Sequence, residues 1–243
     1  MTSSPKQIFL LLIILIGISP VIALPSNPHE EGFVPIFDGK TLTGWKARSE
    51  GFWTVKDGAL TGQTTQTHPA PVNQFIRWDQ GVAGNFELKL RFRFTGLPAA
   101  NGGIQIRSRV REDGHVVGYQ ADMNKQGQYI GMLYDEGGRG ILAPRGTQTT
   151  INAAGKKRQA PLPHANALKD TNRDNDWNDY HIIAMGNRII LIVNGLVTSE
   201  LTDNQITERD LSGVIAFQLH QGPPMKVEYK DIRLKCLPSS EPK

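Results

Sequence analysis

Cysteine is almost missing from this chain: Cys236 is the one thiol in 243 residues. No intrachain disulfide can form, so a buried core rather than covalent staples must hold the fold. On a stretch of alternating apolar and charged residues, Cys236 itself is expected to be a small packing residue. Metal-binding spacings are absent too, with no His-x-x-x-His and no Cys-x-x-Cys, and His29, His68, His115 and His164 fall in separate loops. There is no glycine-rich phosphate loop and no Gly-x-Ser-x-Gly elbow, which removes support for nucleotide chemistry and serine hydrolysis. Charge of one sign is also scarce. The net charge is +4, and the basic cluster Lys156-Lys157-Arg158 carries no interleaved aromatics, so a nucleic-acid partner is excluded.

Long apolar runs are confined to the first residues. Lys6 precedes an apolar run from Ile8 to Ile18, and Val21-Ile22-Ala23 offers modest residues at a cleavage site. The run is shorter than the roughly 20 residues a membrane span needs. It has the three parts of a secretory signal peptide, so residues 1–23 are expected to be removed and the chain to be secreted or periplasmic, with no membrane attachment afterwards. A linker over 24–32, one domain over 33–237 and a loose tail over 238–243 complete the expected organisation. About 220 mature residues suffice for one sizeable core.

What is abundant is turn and strand signal. Gly (25) and Pro (15) recur at short intervals. From Asn85 to Phe94 the chain alternates, with Phe86, Leu88, Leu90, Phe92 and Phe94 on one side and Glu87, Lys89, Arg91 and Arg93 on the other, the period of a strand with one buried face. Asp57-Gly58 and Asn194-Gly195 lie between apolar runs and predict tight hairpins. Further strands are predicted at 52–55, 59–62, 75–78, 103–109, 117–123, 129–134, 179–185, 188–193, 213–220 and 226–235. Many short strands without helix predict an all-β sandwich. Residues 143–176 are polar and without period, and are expected to be a long surface loop walling one side of a groove.

Three of these strands place hydrogen-bonding side chains opposite their apolar face. Gln105 and Arg107 lie opposite Ile104 and Ile106. Gln120 and Asp122 lie opposite Tyr119, Ala121 and Met123. Gln218 and His220 lie opposite Ile215, Phe217 and Leu219. Amides, guanidinium and carboxylate match hydroxyl pairs, and aromatic rings lie under sugar faces, so these six side chains form a candidate carbohydrate site with Tyr134, Trp177 and Trp45 as stacking platforms. Outer faces of antiparallel sheets are polar by default, which is the plainer reading of the same pattern. Asp135 and Glu136 are loop carboxylates of the kind that hold calcium in sandwich lectins, although nothing in the sequence requires a metal or another cofactor.

The ordered set Phe37-Asp38-Gly39-Lys40-Thr41-Leu42-Thr43-Gly44-Trp45, Phe86-Glu87-Leu88, Asn101-Gly102-Gly103-Ile104, Gly118-Tyr119-Gln120-Ala121-Asp122, Leu133-Tyr134-Asp135-Glu136, Trp177-Asn178-Asp179-Tyr180 and Gly213 to His220 resembles the 3-keto-disaccharide hydrolase family. The resemblance implies a concanavalin A-like jelly-roll β-sandwich of two antiparallel sheets. It also implies action on glycosides whose C3 hydroxyl is a ketone, by elimination and hydration rather than by the paired carboxylates of ordinary glycosidases. On that resemblance Asp122 is expected to act as the base or to orient it, and His220 to be the proton donor or alternate base. Arg107 is expected to hold the C3 oxygen, with Gln105, Gln120, Gln218, Tyr134 and Trp177 binding substrate. A non-catalytic, lectin-like carbohydrate-binding module and a hydratase or lyase acting on the glycal remain alternatives.

Overall fold

The structure is a computed structural model that describes residues 30–222 and 224–238. The expected signal peptide over 1–23, nearly all of the linker and the tail beyond Pro238 lie outside the described residues. The period-two segment folds as read: along Phe86–Gly96 every second residue is buried, and Phe86, Leu88, Leu90, Phe92 and Phe94 all join the core. Burying each such side chain stabilises the fold by roughly 1.5–3 kcal/mol.

Seventeen strands follow one another along the described residues. The first six are β1 (Val34–Pro35), β2 (Trp45–Ala47), β3 (Trp53–Lys56), β4 (Ala59–Gln63), β5 (Gln74–Trp78) and β6 (Phe86–Gly96). Next come β7 (Asn101–Val110), β8 (Val116–Asn124), β9 (Leu133–Glu136), β10 (Gly140–Ala143), β11 (Thr147–Ile151) and β12 (Lys157–Pro161). A 3-10 turn, Ala165–Asp170, precedes β13 (Asn178–Met185), β14 (Arg188–Val193), β15 (Leu196–Asp203), β16 (Val214–Leu219) and β17 (Met225–Cys236).

They form two sheets. The first runs β12-β11-β15-β14-β13-β6-β17-β4-β3, with β1 also paired to β17, and the second runs β10-β9-β8-β7-β16-β5-β2. Among the described strands all pairs are antiparallel except β11 with β15, which is parallel. Both predicted hairpins form. Asp57-Gly58 (φ 50 and 76) and Asn194-Gly195 (φ 49 and 83) hold the two consecutive positive φ values of a type I′ turn. Between the sheets Phe217 of β16 is stacked on Tyr229 of β17 at 4.2 Å and on Trp45 at 5.1 Å.

Three expectations need correction. Residues 143–176 are not one long loop, because β11 and β12 extend the edge of the first sheet and the 3-10 turn follows them. Thr149 and Ile151 are buried while β12 is exposed throughout, so the short polar strands carry little apolar signature. The strand predicted from 129 begins only at Leu133, because Gly131 takes φ 76 in a turn where a Cβ would meet the Thr198 side chain at 2.0 Å. Cys236 is exposed at the end of β17, not packed.

Candidate functional site

In the second sheet one face packs on the core through Ile104, Tyr119, Ala121, Met123, Phe217 and Leu219. The other face carries the hydrogen-bonding residues, and register fixes their arrangement. Asp122 on β8 lies opposite Gly103 on β7, which lies opposite Gln218 on β16. The adjacent row runs Tyr134, Gln120, Gln105, Ala216. Strands are spaced about 4.8 Å apart, so the backbones of Asp122 and Gln218 lie about 10 Å apart with a glycine between them. His220 follows two residues beyond Gln218, its amide bonded to the carbonyl of Asn101 at 3.3 Å.

Glycine at 103 is a steric requirement. A Cβ there would sit 2.4–2.8 Å from the side chain of Gln120, which lies across β7 at this point. That placement lets a chain of hydrogen bonds run in one direction. Ser108 Oγ donates to Gln105 Oε1 at 2.9 Å, Gln105 Nε2 donates to Gln120 Oε1 at 2.6 Å, and Gln120 Nε2 donates to Asp122 Oδ1 at 3.2 Å. The backbone amide of Met123 also donates to that oxygen, at 3.0 Å. Asp122 Oδ1 is therefore fixed from two sides, and Oδ2 is the oxygen open to a ligand.

Burial dominates the electrostatics of Asp122. With only 7 % of its surface exposed, loss of hydration pushes the carboxyl up to about 7. The bonds from Met123 and Gln120 pull the other way, and the nearby Glu136 carboxylate adds a small upward push. The result is a carboxyl that is only partly ionised at neutral pH and binds a proton far more tightly than an ordinary aspartate. Beside it Gln218 is 1 % exposed, yet neither Oε1 nor Nε2 has a hydrogen-bond partner, and Asn101 Oδ1 is likewise buried and unpaired. Unmatched buried polar groups cost about 1–3 kcal/mol each. At His220, Nδ1 faces the carbonyl oxygen of Gln221 and must carry the proton, which leaves Nε2 as the basic nitrogen of the neutral ring.

The structure thus brings Asp122, Gln120, Gln105, Gln218, Tyr134 and His220 to one face. Gln105 is spent within the amide chain and positions Gln120, so it is not a hydroxyl binder. Arg107 is not brought to this face. β7 has a bulge between Gln105 and Arg109, and Arg107 sits in it at φ 49, which breaks the alternation read from the sequence. Its guanidinium turns toward the first sheet, donating to Gly84 O at 2.8 Å, Gly186 O at 2.6 Å and Asn85 Oδ1 at 3.2 Å. Burial alone lowers its affinity for a proton, to about 10, and it remains a cation that ties the two sheets together. Trp177 lies on the outer face of the first sheet, its ring 4.6 Å from the Arg93 guanidinium and 4.1 Å from Lys230 Nζ. Trp45 is buried in the core, donating from its indole to Ile36 O at 2.9 Å.

One pair near the site has no local sequence signal. His115, in the β7–β8 turn, meets Glu136 of β9 at 3.0 Å and packs against Phe75 at 5.0 Å. The β7–β8 turn is also anchored through Asp113 to Arg48 at 3.1 Å. It therefore folds over the outer face and buries Phe75, Val116 and Ala216 as a second small apolar cluster. Asp135 is held by Arg139 at 2.9 Å and does not assemble with Glu136, and no group of His, Cys, Asp and Glu among the described residues has the geometry of a metal site.

Solved structures share this architecture. A glycosyl hydrolase described as putative, from Parabacteroides distasonis ATCC 8503, matches with a TM-score of 0.57 at 16% identity, covering 84% of this chain and 99% of its own. The carbohydrate-binding module CBM66 from Bacillus subtilis matches with a TM-score of 0.53 at 12% identity, covering 79% and 95%. At these identities the likeness establishes the concanavalin A-like jelly-roll sandwich and nothing of activity. No curated protein matches the chain in sequence. Residues 32–235, which span both sheets and every residue of the Asp122 group, match the model of one sequence family, and the chain belongs to it: the 3-keto-alpha-glucoside-1,2-lyase-like domain family.

Proposed function

We propose that this protein acts on α-glucosides whose C3 hydroxyl has been oxidised to a ketone, and that Asp122 is the base that starts the reaction. The ketone acidifies the C2 proton. Asp122 Oδ2 takes that proton and the electron pair delocalises onto the C3 oxygen as an enolate. The pair then forms the C1–C2 double bond as the C1–O bond breaks, and the His220 ring, entering this step protonated at both nitrogens, gives its Nε2 proton to the departing oxygen and is left neutral. The products are a 3-keto-glycal and the free alcohol. Addition of water across the double bond gives 3-keto-glucose, which makes the net change a hydrolysis without any redox step.

The observation that carries this reading is a single buried carboxylate brought to about 7, with one oxygen held and the other open. A base whose proton affinity lies near the working pH is both ionised and strong. Elimination needs one base and one acid, and this face supplies Asp122, opposite Gly103 on one side of β7, and His220, beside Asn101 on the other. Gln218, with its unpaired amide, binds the hydroxyls or the C3 oxygen, and Gln120 and Tyr134 line the other side.

Purified protein mixed with 3-keto-trehalose and with trehalose tests it, with and without EDTA, by following 3-keto-glucose and the ultraviolet absorbance of the enone. Turnover of the keto sugar alone, reduced about 10²-fold or more in Asp122→Asn and His220→Gln, is expected. Binding of both sugars without turnover would overturn the reaction and leave a lectin-like module. Supplying the isolated glycal separates a lyase from an enzyme that also completes hydration. Export is part of the same proposal, supported by the leader pattern over 1–23, and a mature chain beginning at Leu24 by N-terminal sequencing is the expected result.

A further inference from the structure

The outer face that carries Asp122 continues past Gln218 into a cleft of about 270 Å³. Phe75, the register partner of Gln218, forms its near wall with Val116. The cleft therefore begins one strand, about 4.8 Å, beyond the proposed sugar position. Its lining is basic: Lys46 and Arg77, paired across β2 and β5, together with Arg48 and Arg111, against Glu112 and Asp113.

These charges are not equivalent. Arg48 is consumed in shaping the wall, since it pairs with the Asp113 carboxylate at 3.1 Å and donates to the carbonyls of Asp113 and Asn73. That contact also removes Asp113 from the balance. Arg77 pairs with Asp79 at 3.1 Å, a residue outside the cleft lining, and the Lys46 ammonium has no ion-pair partner among the described residues. Asp79 compensates Arg77 from outside the lining, so Lys46 and Arg111 face only Glu112, and the cleft keeps net positive charge one strand away from Gln218.

We propose that this cleft is a subsite for an anionic group, a carboxylate or a phosphate, on the aglycone of the substrate, with Lys46 and Arg77 as its contacts. The assignment rests on the proposed binding of the sugar on the outer face beside Asp122. Three 3-keto-α-glucosides test it, with phenyl, 4-carboxyphenyl and 4-phosphophenyl aglycones, through KM for phenol release. The corresponding unoxidised glucosides are titrated by calorimetry in parallel. A preference of about 10-fold for the charged aglycones is expected, shrinking in 0.5 M salt as an open, screened site requires. In Lys46→Ala/Arg77→Gln the ratio should fall to about one. A gain for phosphate above that for carboxylate assigns the cleft to phosphorylated aglycones, and a gain for carboxylate alone to acidic ones. Equal binding of neutral and charged glucosides, no binding of either, or a preference that survives the double variant overturns the proposal. Because the calorimetric arm needs no turnover, a charge preference without reaction would sink the elimination reading and leave the subsite standing.

Discussion

Replacing Asp122 with asparagine should make the protein more stable above neutrality while abolishing its activity. The ordinary carboxyl value of 3.8 describes the unfolded chain, and burial raises the folded value to about 7. Between those limits the folded state binds the proton more tightly than the unfolded one, so the contribution of this group to stability is greatest below pH 3.8 and is lost as pH rises through 7. At ~1.4 kcal/mol per pH unit the gap is worth about 4 kcal/mol, fully lost above pH 8. Asparagine carries no charge, yet its Oδ1 can still accept from Gln120 and from the Met123 amide. Urea unfolding followed by tryptophan fluorescence at pH 5 and pH 8.5 reads the effect directly. The wild type should lose a few kcal/mol relative to Asp122→Asn between the two conditions, while wild-type kcat/KM rises through pH 7. A difference between the proteins that does not change with pH would refute the burial argument, whatever happens to activity.

Gln120→Ala removes the side-chain donor that favours the Asp122 carboxylate. A hydrogen bond to a charged group is worth about 1.5 kcal/mol, so the rising limb of the pH–rate profile should move about one pH unit alkaline. Gly103→Ala drives a methyl into the Gln120 side chain and breaks the amide chain. It should lower kcat about 10-fold with an unchanged circular dichroism spectrum. Arg107→Met strips Gly84 O, Gly186 O and Asn85 Oδ1 of their donor and should cost about 3 kcal/mol in urea unfolding, while the pH–rate profile of the remaining folded enzyme stays in place.

How much of this was legible in the sequence depends on how local each signal is. The strand β6, the two type I′ hairpins and the polar side of β8 follow from period and turn chemistry within a few residues. Asp122 and Gln120 could be read for that reason. Arg107 could not, because one extra residue in β7 exchanges its face with that of Ser108, and an alternation count has no means of registering a bulge. The pairing of His115 with Glu136 joins residues 21 apart through the curl of a hairpin, and the local sequence around Trp177 carries no sign that β13 lies in the other sheet. Gly103 shows the same limit from the opposite side. In the sequence it is one of two adjacent glycines in a strand, ordinarily a weakness. In the fold its missing side chain is what lets Gln120 cross to Asp122, taking the space a Cβ would fill. The chemistry proposed for this face therefore depends as much on an absent Cβ as on the carboxylate beside it, and the two should fail together: the pH–rate limb that Asp122 sets should be displaced in Gly103→Ala in the same direction as in Gln120→Ala.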